Sequence, residues 1–141
     1  MKFLIGVIFT ICLLFFLLGL KSQKGEAPGL VDEKLKEPGS APNSVSSEEG
    51  VQPERHVLPI KANRVDVLSV IKQTGGVVTS ESENYISATY MSKIFKFVDD
   101  VELRHTGKNM WHIRSASRVG YSDRGVNRKR VELIRSVLST K

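Results

Sequence analysis

Cysteine occurs once in the 141 residues, as Cys12, inside an apolar run. A disulfide framework is therefore excluded, and so is a thiolate metal site in any soluble part. The three histidines, His56, His105 and His112, are scattered along the chain. They offer no metal-ligand spacing, and the glycines form neither a phosphate-loop nor a dinucleotide pattern, so no metal or cofactor is expected. Aromatic residues are few and are not interleaved with the basic ones, and no base-reading motif occurs. Nucleic acid is thus not an expected partner.

The net charge of +6 is unevenly placed. Residues 101–141 hold ten Lys and Arg against three acids, whereas residues 21–100 hold ten against twelve. Such local basic character can steer anions or anionic lipid. A chain of this length has room for one compact domain.

Phe3 to Leu20 is almost unbroken apolar sequence, flanked by Lys2, Lys21 and Lys24. It is long enough to span a bilayer as a helix. No small-x-small cleavage site follows, so residues 1–21 are expected to be an uncleaved signal anchor, with membrane contact through residues 3–20. The expected location is a bacterial-type inner membrane, crossed once, with the carboxy-terminal domain periplasmic or otherwise extracytoplasmic. The alternative is a cleaved, secreted chain. Residues 22–54 carry four of the five prolines, several Gly and Ser, and hardly any large apolar residue. They read as a flexible tether.

The domain is expected over residues 55–141. Asn63 caps a short helix whose spacing is carried by Val65, Leu68, Ser69 and Ile71-Lys72, with Val67 and Val70 widening the stripe, and Gly75-Gly76 ends it. Val77 to Thr79 reads as a strand. Tyr85 to Val98 reads as a long strand region that breaks near Ser92-Lys93, and Asp99-Asp100 reads as a turn before Val101 to Arg104. Trp111 to Ser117 forms the last strand, with Trp111 and Ile113 on one face and His112 and Arg114 on the other. A terminal helix follows, capped by Ser122 or Asp123, with Val126, Val131, Leu133, Ile134, Val137 and Leu138 in one arc. The expected fold class is α+β: a small antiparallel sheet of about four strands with one helix before and one after it, preceded by the membrane helix and tether.

Two residues break the terminal stripe, because Asn127 and Arg130 fall inside the apolar arc. A guanidinium there has to meet carboxylates or carbonyls, and Asp99, Asp100 and Asp123 are the expected structural partners. One reading is a half-buried network that fixes helix against sheet. The other is a pocket for an anionic ligand made by Arg114, Ser115, Ser117, Arg118, Tyr121, Asn127 and Arg130, with a phosphorylated lipid, a glycan or an acidic protein as partner. A third, small-hydrolase reading would use Ser117, His112 and Asp123, but no nucleophile-elbow pattern supports it. A non-catalytic binding module is the expected class.

The run Arg114-Ser115-Ala116-Ser117-Arg118-Val119-Gly120-Tyr121-Ser122-Asp123-Arg124-Gly125-Val126-Asn127-Arg128-Lys129-Arg130 resembles the signature of the DUF1499 family. Pro42-Asn43-Ser44-Val45-Ser46-Ser47, within the stretch 41–47, resembles that family's upstream motif, with Ser44 where relatives usually carry cysteine. The resemblance implies one small domain over roughly residues 40–136. It implies no activity, since the family is one of unknown function.

Overall fold

The computed structural model describes residues 1–140. The first element, α1 (Lys2–Gln23), is a helix long and apolar enough to cross a membrane, as a signal anchor or a signal peptide would be. A two-residue pair, β1 (Leu30–Val31) and β2 (Lys34–Leu35), forms a small hairpin, and β3 (Ser44–Ser46) and β4 (Ile60–Lys61) follow. The helix α2 (Arg64–Gln73) leads into β5 (Val77–Glu81), β6 (Tyr85–Met91), β7 (Val98–His105) and β8 (Met110–Ser117), and α3 (Val126–Leu138) ends the domain.

The class is α+β, and the sheet is larger than four strands. Six strands pair antiparallel in the order β3-β8-β7-β6-β5, and β4 shares the outer edge of β8 with β3. The two additional strands, β3 and β4, are three and two residues long, too short to show alternation. A second correction concerns Asp99 and Asp100, which lie inside β7 opposite Ser117 and Ala116. The turn comes earlier, over residues 92–97, where Ser92 N–H donates to the Phe97 carbonyl (2.8 Å) and Phe97 N–H donates to Ser92 Oγ (2.9 Å).

Both helices cover one face of the sheet. Val67, Val70 and Ile71 of α2 and Val131 and Ile134 of α3 pack against Ile86, Ala88, Tyr90, Val101, Leu103, Trp111 and Ile113. The cap of α2 is reciprocal: Asp66 N–H donates to Asn63 Oδ1 (2.9 Å), and Asn63 Nδ2 donates to Asp66 Oδ2 (2.7 Å). Trp111 satisfies its indole N–H at the Ala62 carbonyl, 3.0 Å away. The apolar arc of α3 is narrower than its sequence suggests. Val126 and Leu133 are 46% and 49% exposed, because the helix meets the sheet along Asn127, Val131 and Ile134, spaced four and three residues apart. On its outer side Arg128 donates to the Glu54 and His56 carbonyls, and Arg135 to those of Leu58 and Pro59. These two arginines hold the β4 approach against the helix.

Where α2 ends, Gly76 sits under the Tyr90 ring. A Cβ there would fall 2.7 Å from Tyr90 Cζ and 2.8 Å from Ile71 Cγ2. Gly76→Ala is therefore expected to overpack this junction and to cost about 1–3 kcal/mol in a chemical-denaturation measurement. Gly39→Ala, where a Cβ meets nothing and φ is not positive, serves as the comparison for the loss of glycine's backbone freedom alone.

Candidate functional site

Strand alternation sorts the polar residues of the signature onto two faces. Ser115 and Ser117 of β8 point toward the helices, with Asp99 of β7 opposite Ser117. Arg114 points the other way, toward Glu102 of β7, and Arg118 follows on that same side, toward Asp100.

On the helix face the side chains close a network. Arg130 donates to Asp99 Oδ2 at 2.7 Å, to Asn127 Oδ1 at 2.6 Å and to Ser115 Oγ at 3.1 Å. Ser115 Oγ also donates to Asn127 Oδ1 at 2.6 Å. The Asn127 amide nitrogen donates to Ser117 Oγ (3.0 Å) and to the Asn43 carbonyl (2.9 Å). Asn127 and Ser115 are fully buried, and the Arg130 guanidinium lies 4.8 Å from the centre of the Tyr90 ring. Asp123 caps α3, accepting from the Gly125 and Asn127 amides at 3.0 and 2.7 Å. Gly125, at φ 79°, makes the left-handed entry that lets it do so. Asn43, from the upstream motif, is tied in through its carbonyl, which also accepts from Ser117 N–H, and its side chain donates to the Gly120 carbonyl. Both sequence motifs therefore meet at one point.

The opposite face is also polar, which is unusual for a sheet face covered by chain. Glu102 is fully buried and accepts from Arg114 (2.6 Å), the Tyr85 hydroxyl (2.7 Å) and the Gly29 amide (3.0 Å). Burial, reinforced by the Glu102 hydrogen bond, pushes the Tyr85 phenol far above its usual range and keeps it a donor. Arg118 grips Asp100 with two bonds of 2.8 and 2.7 Å and reaches the Ser22 carbonyl at the end of α1. Arg104 grips Glu48 in the same bidentate manner, and the Leu35 amide donates to Glu48 as well. Segment 24–35 lies across this face, and Leu35 is buried beneath it.

Of the residues singled out in the sequence, Ser115, Ser117, Asn127 and Arg130 come together with Asp99 and Asp123. Arg114 and Arg118 lie on the far side of the sheet with Asp100. Tyr121 sits in the exposed loop before α3, 75% accessible. His112 Nδ1 lies 2.8 Å from the Ser47 carbonyl on the face opposite Ser117, so the hydrolase trio does not assemble. Among the described residues no three His, Cys, Asp or Glu gather where they could hold a metal ion. Glu48 and Glu102 carry much of the polar architecture and were not marked by any motif. Glu102 had a signal in strand alternation, which sets it opposite Arg114, whereas Glu48 lies outside any strand and meets Arg104 only through the fold.

Two open spaces border these networks. A groove of about 690 Å³ runs between segment 23–29 and the second face, lined by Thr79, Ser80, Tyr85, Ser87, Thr89 and Arg118 among others. A cleft of about 550 Å³ lies on the helix face at the end of α2, lined by Tyr90, Met91, Lys93, Lys129, Arg130 and Leu133 among others. Arg130 is paired with Asp99, whereas Lys93 and Lys129 have no carboxylate within ion-pair distance among the described residues. The cleft therefore has excess positive charge beside exposed apolar surface.

Replacing Arg130 by Met would leave Asp99 without its charge partner and Asn127 Oδ1 with the Ser115 hydroxyl alone, and is expected to cost about 3 kcal/mol, the low end for a buried pair that loses one partner. Arg130→Met/Asp99→Leu should recover part of that loss, read as a coupling energy in a double-mutant cycle. Glu48 gives a pH test. Burial alone would raise its carboxyl, but the Arg104 hydrogen bonds, the Leu35 amide and the nearby positive charge hold it below its ordinary value of 4.5. Its contribution is present above that value and is lost as pH falls through the lowered folded value. Acid unfolding from about pH 5 downward should be shallower in Glu48→Gln than in the parent, with the parent more stable near neutrality.

No curated protein and no solved structure is similar enough to the chain to support a comparison. A family model does match, over residues 34–138, from just before the end of β2 to the end of α3. The chain belongs to the DUF1499 family, described as a protein of unknown function.

Proposed function

We propose that this protein is a membrane-anchored, extracytoplasmic, non-catalytic module that holds an anionic ligand, and that the ligand is a phosphorylated lipid in the cleft between α2, α3 and the 92–97 turn. The observation that carries the reading is the make-up of that cleft. Lys93 and Lys129 supply cations that no carboxylate neutralises, and Met91 and Leu133 supply exposed apolar surface beside them. Among phosphorylated lipids, glycans and acidic proteins, only the first matches both halves, since it brings an anionic head and an apolar tail. Arg130 borders the cleft with its charge already committed to Asp99, so its part is to shape the wall.

Retention of α1 as the anchor is supported by its packing. Ser22 is buried, donates to the Gly19 carbonyl and accepts from Val98 N–H, so the end of the helix is built into the domain. Cleavage within the apolar run would discard Gly19 or expose Val98. Basic residues flank the run on both sides, Lys2 before it and Lys21 and Lys24 after it, and a single pass with the domain outside the cytoplasm is the orientation we adopt. A second reading, a scaffolding module whose polar cluster serves only the fold, is favoured by the closure of the Arg130–Asp99–Asn127–Ser115 network.

The test is a thermal-shift titration of the detergent-solubilised full chain with dioctanoyl phosphatidylglycerol, against dioctanoyl phosphatidylcholine. Stabilisation by the anionic lipid is expected, and Lys93→Gln/Lys129→Gln should weaken it by roughly tenfold or more at an unchanged unliganded Tm, from about 1 kcal/mol per lysine. Equal responses to both lipids, or no response, would favour the scaffold.

A further inference from the structure

The turn between β6 and β7 has a composition that the sheet does not explain. Lys93-Ile94-Phe95-Lys96-Phe97 places three large apolar side chains and two lysines in a six-residue connection, and Ile94 at its tip is 80% exposed. Hairpin connections ordinarily favour Gly, Asn, Asp and Pro. An exposed apolar cluster rimmed by cations needs a partner.

Its neighbour is the apolar helix. The ring of Phe95 lies 5.3 Å from that of Phe15, the ring of Phe97 6.2 Å from Phe15, and the two turn rings 6.2 Å from each other. The backbones touch higher up: a Cβ on Gly19 would fall 1.8 Å from the Phe95 carbonyl oxygen, so only glycine permits this approach. Gln23 Nε2 reaches the Lys96 carbonyl at 3.4 Å, and the Val98 amide donates to Ser22 Oγ at 3.1 Å. The turn backbone is therefore level with Gly19 and Gln23, while its rings extend back along α1 to Phe15.

Those levels have a meaning if α1 crosses a bilayer. Phe15 is five residues inside Leu20, or about 7–8 Å at the helical rise. The run from Phe3 to Leu20 is about 27 Å long, close to the thickness of the hydrocarbon core. The backbone of the turn then lies at the headgroup boundary, where its polar groups stay solvated, and the Phe95 and Phe97 rings reach into hydrocarbon. Lys93 and Lys96 sit at phosphate depth, and their stems can follow the rings while the ammonium groups stay at the interface.

We propose that the β6–β7 turn is a second membrane contact, in which Ile94, Phe95 and Phe97 enter the outer edge of the bilayer beside α1 and Lys93 and Lys96 engage anionic headgroups. The contact fixes the attitude of the domain on the membrane. Met91, Ser92 and Lys93 also border the proposed lipid cleft, which then opens at the bilayer surface. This inference rests on the reading of α1 as a membrane anchor, though not on the identity of the ligand.

The experiment uses the full chain with Cys12→Ser, so that Ile94→Cys can carry the only thiol-linked NBD fluorophore, reconstituted in phosphatidylcholine/phosphatidylglycerol vesicles. Val65→Cys is the reference, since Val65 is exposed next to Arg64, which bonds Glu81 and the Ser82 and Glu83 carbonyls at the opposite end of β6. The label at 94 should be blue-shifted, quenched by shallow lipid-attached nitroxide and shielded from aqueous iodide, with the reverse at 65. A label at 94 as open to iodide as that at 65, on protein that survives an alkaline carbonate wash, would overturn the turn contact and leave the anchor standing. Loss of the protein in that wash would overturn both.

Discussion

The domain depends on the contact between Arg130 and Asp99. It joins the last helix to the second-last strand at a position where both sequences should carry apolar residues. Asp99 lies within a strand, a place acids avoid, and Arg130 lies on the buried side of a helix. Each is tolerable only because of the other. Arg130 also donates to Asn127 and Ser115, and Asn127 in turn fixes the carbonyl of Asn43 and with it the edge strand β3. A single buried asparagine thus couples the helix, strand β8 and the segment leading into β3. Such a network gives little net stability over an apolar substitute, but it penalises any other register, since a slip of one residue would strand several buried donors at once.

The same logic is repeated on the other face with different residues. Glu102 with Arg114, Asp100 with Arg118 and Glu48 with Arg104 turn what is usually either a solvated or an apolar surface into a paired polar layer, over which segment 24–35 lies. Arg118 and Ser22 connect that layer to the end of α1. The apolar helix α1 is thereby continuous with the domain through hydrogen bonds and ring contacts. The cleft carrying Lys93 and Lys129 and the apolar 92–97 turn lie at this same end of the sheet, beside the end of α1.

Much of this was legible in the residues. The apolar run specified α1, Asn63 and the helical spacing from Val65 to Lys72 specified α2, although Val65 is exposed and the buried side is Val67, Val70 and Ile71, and the alternation from Trp111 to Arg114 oriented β8. The misfit of Arg130 and Asn127 in the terminal stripe marked the place where polar residues had to meet. What was not legible depended on tertiary partners. Asp99-Asp100 reads as a turn until Arg130 and Arg118, distant in sequence, are brought to it. The short β3 and β4 strands carry no period of their own and are defined by the edge of β8. Carrying the β8 alternation four residues further would have separated Arg114 and Arg118 from Ser115 and Ser117. Lys93 belongs to no motif, and only the fold brings it beside Lys129.

Amide hydrogen exchange of the full chain tests the central claim, that the polar network is part of the cooperative core. The Asn127 amide, bonded to Asp123, and the Ser117 amide, bonded to Asn43, should exchange only through global unfolding, with the same opening free energy as the amides of Val101 and Leu103 in β7. Exchange of Asn127 and Ser117 through a local opening well below that of β7 would contradict the account. The cluster would then be a loosely held surface feature that does not lock the helix to the sheet.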